Sequence, residues 1–253
     1  MKQKILLACV ALLMTSCSTT YYQIVDVKST NLQKESNSYV YNDGNCKIIY
    51  NFWEEGGNSG FSMANLSDEV IYLDLGITFY IENGIAYDYY RAKTGKNLKL
   101  VEANASSNNS NSDIAFTEKP VVAIPPHAAK TLYGYCIVGD VIQDCSVKMM
   151  VKKAQPEGKT FSESESPIYF RNYITYRKGE SGEAKVITND FYIGGFTNYL
   201  SSDVIKKEWV GCKKTVKINC IKESASDCFY VKYDKIHSNH YSADAKEKYN
   251  PNK

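Results

Sequence analysis

Few residues of this 253-residue chain combine the types and spacing that chemistry needs. His237 and His240, with Asp234 nearby, would bring two imidazoles together if a helix carried them, but a metal centre needs a closed ligand set and no third ligand is specified. They read as surface residues of a polar tail. His127, behind Pro125-Pro126, is isolated. Glu54-Glu55 and Glu163-Ser164-Glu165 offer neighbouring carboxylates, yet the two acids of a glycosidase come from separate elements, so both sets read as solvated turns. Gly57-Asn58-Ser59-Gly60 lacks the Gly-x-Ser-x-Gly spacing of a hydrolase elbow, and no glycine-rich phosphate loop precedes a helix. The expectation is no catalytic residue, no metal and no cofactor.

Cysteine and tyrosine are more informative. Besides Cys9 and Cys17 there are six cysteines: Cys46, Cys136, Cys145, Cys212, Cys220 and Cys228. An even set in an exported chain suggests disulfides, of about 15 connectivities. Cys220 and Cys228 are the favoured pair, because they flank the turn-like run Lys222 to Asp227 between two strand-like runs. Zinc is the rival, but no Cys-x-x-Cys occurs. Tyrosine supplies 21 residues, in groups at Tyr87, Tyr89 and Tyr90, at Tyr133 and Tyr135, and at Tyr169, Tyr173 and Tyr176. An exposed row of rings, with Tyr80, Tyr87 and Tyr89 as the candidate patch, could stack on sugars or on a protein partner. The plainer reading is that tyrosine suits a half-buried sheet, ring inside and hydroxyl in water.

The elements that would position these residues are strands. From Cys46 to Phe52 one alternate set is Cys46, Ile48, Tyr50 and Phe52, the period-two signature of a strand covered on one face. Phe61 to Leu66 and Val70 to Leu75 follow, each after a polar turn. Asn83-Gly84 is the pair favoured in two-residue hairpins, because both central residues need positive φ. Such a turn pairs Glu82 with Ile85, Ile81 with Ala86, Tyr80 with Tyr87, Phe79 with Asp88 and Thr78 with Tyr89. Asp88 then lands among apolar neighbours and needs Arg91 or water. Further strands are expected over 21–27, 39–41, 121–124, 131–138, 147–151, 168–177, 184–193, 213–219 and 229–235. Residues 104–113 read as a mobile low-complexity loop with too few carboxylates for calcium, and 152–166 as a polar loop. One helix is expected, capped by Ser201 or Ser202, with Ile205 and Trp209 on one face and Gly211 past its end. The fold class is therefore all-β, an antiparallel β-sandwich of immunoglobulin-like or related Greek-key type with one short helix.

The start of the chain gives location. Met1-Lys2-Gln3-Lys4, the apolar run Ile5 to Met14 and Ser16-Cys17 form a secretory signal too short to span a membrane as a stable helix. Leu13-Met14-Thr15-Ser16-Cys17 resembles the lipobox of bacterial lipoproteins, which implies cleavage before Cys17 and lipidation of that cysteine. Residues 1–16 are thus a signal peptide, 17–236 the β-sandwich domain and 237–253 a polar tail. Of the 30 Lys and Arg residues, Lys2 and Lys4 leave with the signal, so 28 balance the 28 acids and nothing favours nucleic acid.

Together with Phe52-Trp53 and its following glycines, and with Asn83-Gly84-Ile85-Ala86-Tyr87-Asp88-Tyr89-Tyr90, these features resemble uncharacterised lipoproteins of Bacteroides-type bacteria. The resemblance brings no activity with it. The lack of acid in Ser18-Thr19-Thr20-Tyr21-Tyr22 implies, by the same resemblance, an outer-membrane anchor facing the periplasm. The expected function is a lipid-anchored, non-enzymatic cell-envelope module that binds protein or glycan or supports an envelope assembly. A glycan-active hydrolase with dispersed acids is the alternative.

Overall fold

The computed structural model describes residues 19–90, 119–210, 216–221 and 225–234. Cys17, the 104–113 run, His237 and His240 lie outside them. In β1 (Thr20–Ser29) Tyr21, Gln23, Val25 and Val27 point inward, while Tyr22, Ile24 and Asp26 face out. β2 (Gln33–Glu35), β3 (Ser38–Asn42), β4 (Cys46–Tyr50) and β5 (Phe61–Asn65) then form an antiparallel meander. The alternation expected of β4 holds: Cys46, Ile48, Tyr50 and Phe52 are fully buried.

The chain then crosses to the other layer through β6 (Ile71–Asp74), β7 (Phe79–Glu82) and β8 (Ile85–Asp88). The β7–β8 register is the expected one, from Glu82 opposite Ile85 to Phe79 opposite Asp88. Tyr89 continues it by donating its N–H to the Thr78 carbonyl at 3.1 Å. Asn83 and Gly84 have φ of 47° and 85°, as the two-residue turn requires. Asp88 is exposed and so meets water.

β9 (Val121–Ile124) matches its expected span, whereas β10 (Ala129–Leu132) is shorter and earlier than expected, and 147–151 forms no strand. Conversely, β11 (Glu157–Thr160) emerges inside the run read as a polar loop, because its backbone completes the edge of a longer neighbour rather than burying side chains. That neighbour is β13 (Lys185–Leu200), preceded by β12 (Tyr169–Lys178). The strand expected over 184–193 does not stop at Ile193. Instead Asp26 of β1 pairs with Gly195 and Val27 with Ile193, so Gly194 is the extra residue of a β-bulge that bends the strand without ending it.

The expected helix is the main correction. Only one turn forms, α1 (Ser201–Val204), and neither serine caps it, the N-cap position being Leu200. Ile205 and Trp209 lie instead on β14 (Ile205–Val210), paired with β15 (Val216–Ile221). Ile205 and Trp209, four residues apart, share a face in a strand as well as in a helix, and cross-strand pairing decides between them. β16 (Cys228–Asp234) closes the chain on β1.

The result is an antiparallel two-layer structure. The larger, curled sheet has the order β16-β1-β13-β12-β6-β9, with β11 on β13 and β7-β8 on β12. The smaller has the order β10-β5-β4-β3-β2, and β14-β15 is a separate hairpin. Between the layers, Tyr50 and Phe52 of the smaller sheet meet Phe191 of the larger with ring centroids 4.8 and 5.1 Å apart, both edge-on, the geometry that aromatic quadrupoles favour.

Candidate functional site

The residues singled out in the sequence are mostly structural. Tyr80, Tyr87, Tyr89 and Tyr135 do cluster: Tyr80 and Tyr135 stack at 5.4 Å, and Tyr87 lies 5.4 Å from Tyr135. However, Tyr80 is 1% exposed and Tyr89 7%, leaving only Tyr87, at 39%, open to a ligand. Tyr80 and Tyr89 thus belong to the core, and the three do not form an exposed row of rings. The Tyr89 hydroxyl donates to Asn172 Oδ1 at 2.6 Å, deep inside the molecule.

Ser59 is likewise fixed. Its Oγ accepts the Tyr135 N–H at 2.7 Å and its carbonyl accepts from the Asn172 amide at 2.9 Å, so it is no nucleophile. The Glu165 carboxylate accepts from both the N–H and the hydroxyl of Ser162, which holds it below the usual carboxylate range and marks a turn-closing role. His127 is exposed, 3.1 Å from Asp68. Among the described residues no group of three or more His, Cys, Asp or Glu could hold a metal.

The expected Cys220–Cys228 bridge is corrected. Cys228 is a free thiol, as are Cys46, Cys136 and Cys145. Cys228 Sγ donates to the Ala225 carbonyl at 3.4 Å. Cys220 stands on β15 of the separate hairpin and Cys228 on β16 of the large sheet, two strands that do not pair; the side chain of Cys220 lies outside the described residues. Burial pushes the Cys228 thiol up to about 11 and the Cys46 thiol to about 12.

What the sequence did not single out is an open groove of about 1000 Å³ between the outer face of the large sheet and the β14-β15 hairpin. That volume is at the upper end for a small-molecule site. Its floor follows from strand alternation. On β1 and β16 the inward positions are filled by core residues, so Tyr22, Tyr230 and Lys232 face out. Register sets Tyr22 opposite Lys232, with Tyr230 diagonal to Tyr22 at 6.1 Å between ring centroids.

The chain leaving β4 adds the third ring. Trp53 lies 5.3 Å from Tyr230, and Glu55 forms a β-bridge to Tyr230. The Gly56 N–H donates to the Tyr230 carbonyl at 2.8 Å and the Tyr230 N–H to the Glu54 carbonyl at 3.3 Å, which clamps this loop to the edge of β16. Three half-buried rings thus run in a row, Tyr22, Tyr230, Trp53. Burial, and then the nearby Glu55 carboxylate, push both phenols above their ordinary value.

The opposite wall is the hairpin, where Ile205, Lys207 and Ile221 line the groove and Ser201 and Ser202 close one end. The face of β14 that carries Ile205 and Lys207 continues to Trp209, which is 57% exposed. A signal for this site exists in the sequence: Trp53 breaks the inward set ending at Phe52, and Tyr230 and Lys232 interleave with Phe229, Val231 and Tyr233. Comparison with protein-family models, with curated proteins and with solved structures returns no match for this chain.

Proposed function

We propose that this chain is a cell-envelope binding module, held to the outer membrane by a lipid on Cys17, whose groove takes up a glycan. The observation that carries the reading is the row Tyr22, Tyr230, Trp53 on the floor of an open groove. Flat rings cover the C–H faces of a pyranose, while Glu55, Ser201, Ser202 and the two lysines offer donors and acceptors to its hydroxyls. A protein interface fits less well, since its centre is apolar and depleted of charge, whereas here Glu55, Lys207 and Lys232 lie within the groove.

Binding is favoured over hydrolysis by the acids present. Glycoside hydrolysis uses two carboxyl groups roughly 5 to 9.5 Å apart across the scissile bond. Among the described residues lining the groove, Glu55 is the only acid. No helix among the described residues is long and apolar enough to cross a membrane, so a lipid is the attachment the reading invokes.

The test is titration of the mature chain with neutral and acidic oligosaccharides, followed by tryptophan emission. The chain has two tryptophans, Trp53 on the groove floor and Trp209 two residues beyond Lys207 on β14. Saturable change that Trp53→Phe and Tyr230→Ala reduce is expected; an unchanged spectrum across the panel overturns the glycan reading. Mass spectrometry of the mature N-terminus in wild type and in Cys17→Ala tests the anchor.

A further inference from the structure

Resting on the glycan reading, we infer that the groove selects an acidic sugar, its carboxylate held between Lys207 and Lys232 while a neutral sugar ring lies on Tyr230 and Trp53.

The argument is charge placement. Lys232 stands on the sheet wall directly across from Tyr22, and Lys207 stands on the hairpin wall. Both are exposed, and among the described residues neither ammonium is in an ion pair. Their neighbours are treated differently: Lys206, on the other face of β14, is bonded to Glu208 at 2.5 Å. Glu208 shares the face of Lys206, and β15 carries no acid, so the described hairpin offers the groove-facing lysine no carboxylate. Two unpaired ammonium groups on facing walls repel each other and gain most from an anion placed between them.

Glu55 gives the site a direction. It is bridged to Tyr230 at the Trp53 end, whereas Lys232 stands beside Tyr22. An acidic ring over Trp53 would meet the Glu55 carboxylate, while a neutral ring there offers hydroxyl donors to it. Along the outward face of β16 the order is thus Tyr230 with Glu55 beside it, then Lys232 opposite Tyr22, then Asp234, which is itself engaged, so an anion is favoured beside Tyr22 and disfavoured over Trp53. A uniformly neutral glycan leaves the charge of both lysines uncompensated, and a uniformly acidic one is opposed by Glu55.

The probes are short oligosaccharides of galacturonic acid, of mannuronic acid, and of hyaluronan, in which acidic and neutral sugars alternate. Each is compared with its methyl ester, which keeps the skeleton and removes the charge. Calorimetry on the mature chain is expected to show hyaluronan oligosaccharides binding at least tenfold more tightly than their methyl esters at low salt, with the gap narrowing at 0.5 M NaCl. Lys207→Gln with Lys232→Gln should abolish the difference, the acids falling to the affinity of their own esters on the variant, and Glu55→Gln should let the wholly acidic oligosaccharides approach the hyaluronan affinity. Equal affinity for acids and esters in every series overturns the acidic selection while leaving the glycan reading in place. No binding by acids, esters or neutral oligosaccharides overturns both. Circular dichroism confirms that the variants fold, since the altered side chains are all exposed.

Discussion

The hydroxyl of Tyr50 accepts the side-chain N–H of Asn189 at 2.7 Å in the space between the two sheets, and both residues are fully buried. The bond ties β4 of one layer to β13 of the other at the centre of an otherwise aromatic core. Burial keeps the phenol neutral by raising its ionisation well above the usual value, while the Asn189 bond works in the opposite direction. Asn189 Oδ1 has no partner among the described residues, so turning the amide over cannot restore a lost bond. Tyr50→Phe leaves the amide unsatisfied and is expected to cost about 1–3 kcal/mol. Tyr230→Phe, whose hydroxyl lies at a half-buried ring edge, should change stability by about 0.5 kcal/mol or less. Urea unfolding of the two variants checks this, and equal midpoints would contradict it.

A sharper test of packing lies where the loop before β5 crosses the chain after β10. A Cβ added at Gly134 would stand 2.3 Å from the Gly60 nitrogen and 2.6 Å from the Ser59 carbonyl carbon, backbone atoms that no rotamer change can move. Gly134→Ala should therefore force the two segments apart, at a cost of about 3 kcal/mol or more. Gly84→Ala meets nothing within 4 Å and suffers only from its φ of 85°, so about 1–2 kcal/mol is expected. Thermal unfolding should rank them in that order.

Much of this fold can be read from the sequence because burial on one face of a strand leaves a period-two pattern. The burial alternation from Cys46 to Phe52 and the register of the Asn83-Gly84 hairpin come out as expected for that reason, although β4 itself ends at Tyr50. The misses share a cause, which is that partner strands remote in sequence supply what local pattern lacks. β11 is polar and exists because β13 offers it an edge; β14 is a strand because β15 pairs with it. The site was missed for a related reason. The hairpin register places Tyr80, Tyr87 and Tyr89 on one face, but register alone does not say how much of that face is covered, and here Tyr80 and Tyr89 are buried while Tyr87 and Ile85 on the same face stay exposed. The groove joins residues from near 22, 53, 205 and 230, a convergence that no local spacing records.

The thiols separate by burial. At pH 8, with its thiolate suppressed, buried Cys228 should resist alkylation as Cys46 does, while exposed Cys145 labels; all three should label after unfolding without reductant. Peptide mapping by mass spectrometry reads each position, and a requirement for reductant at Cys228 would contradict the free thiol. The sign of the pH effect follows. Because the folded pKa values of Cys46 and Cys228 lie at about 12 and about 11, above the ordinary thiol value of about 9, the folded state favours the protonated thiols. Their contribution to stability is complete below pH 9 and is lost as pH rises from 9 through 12. Cys46→Ser with Cys228→Ser should flatten that alkaline decline.

The groove floor separates ring from hydroxyl. If Tyr230 acts by stacking between Tyr22 and Trp53, Tyr230→Phe keeps the ring and should bind glycan within about twofold of wild type. Tyr230→Ala removes the centre of the row and should lose about 1.4 kcal/mol, a factor of ten in affinity. The backbone of Tyr230 holds the Glu54 to Gly56 loop whichever side chain is present, so the loop carrying Trp53 stays in place in both variants. Equal losses in the two would assign the interaction to the hydroxyl, and no loss in Tyr230→Ala would move the ligand off this floor altogether. Trp53→Phe should fall between them, because a smaller ring covers less of a sugar face at the end of the row.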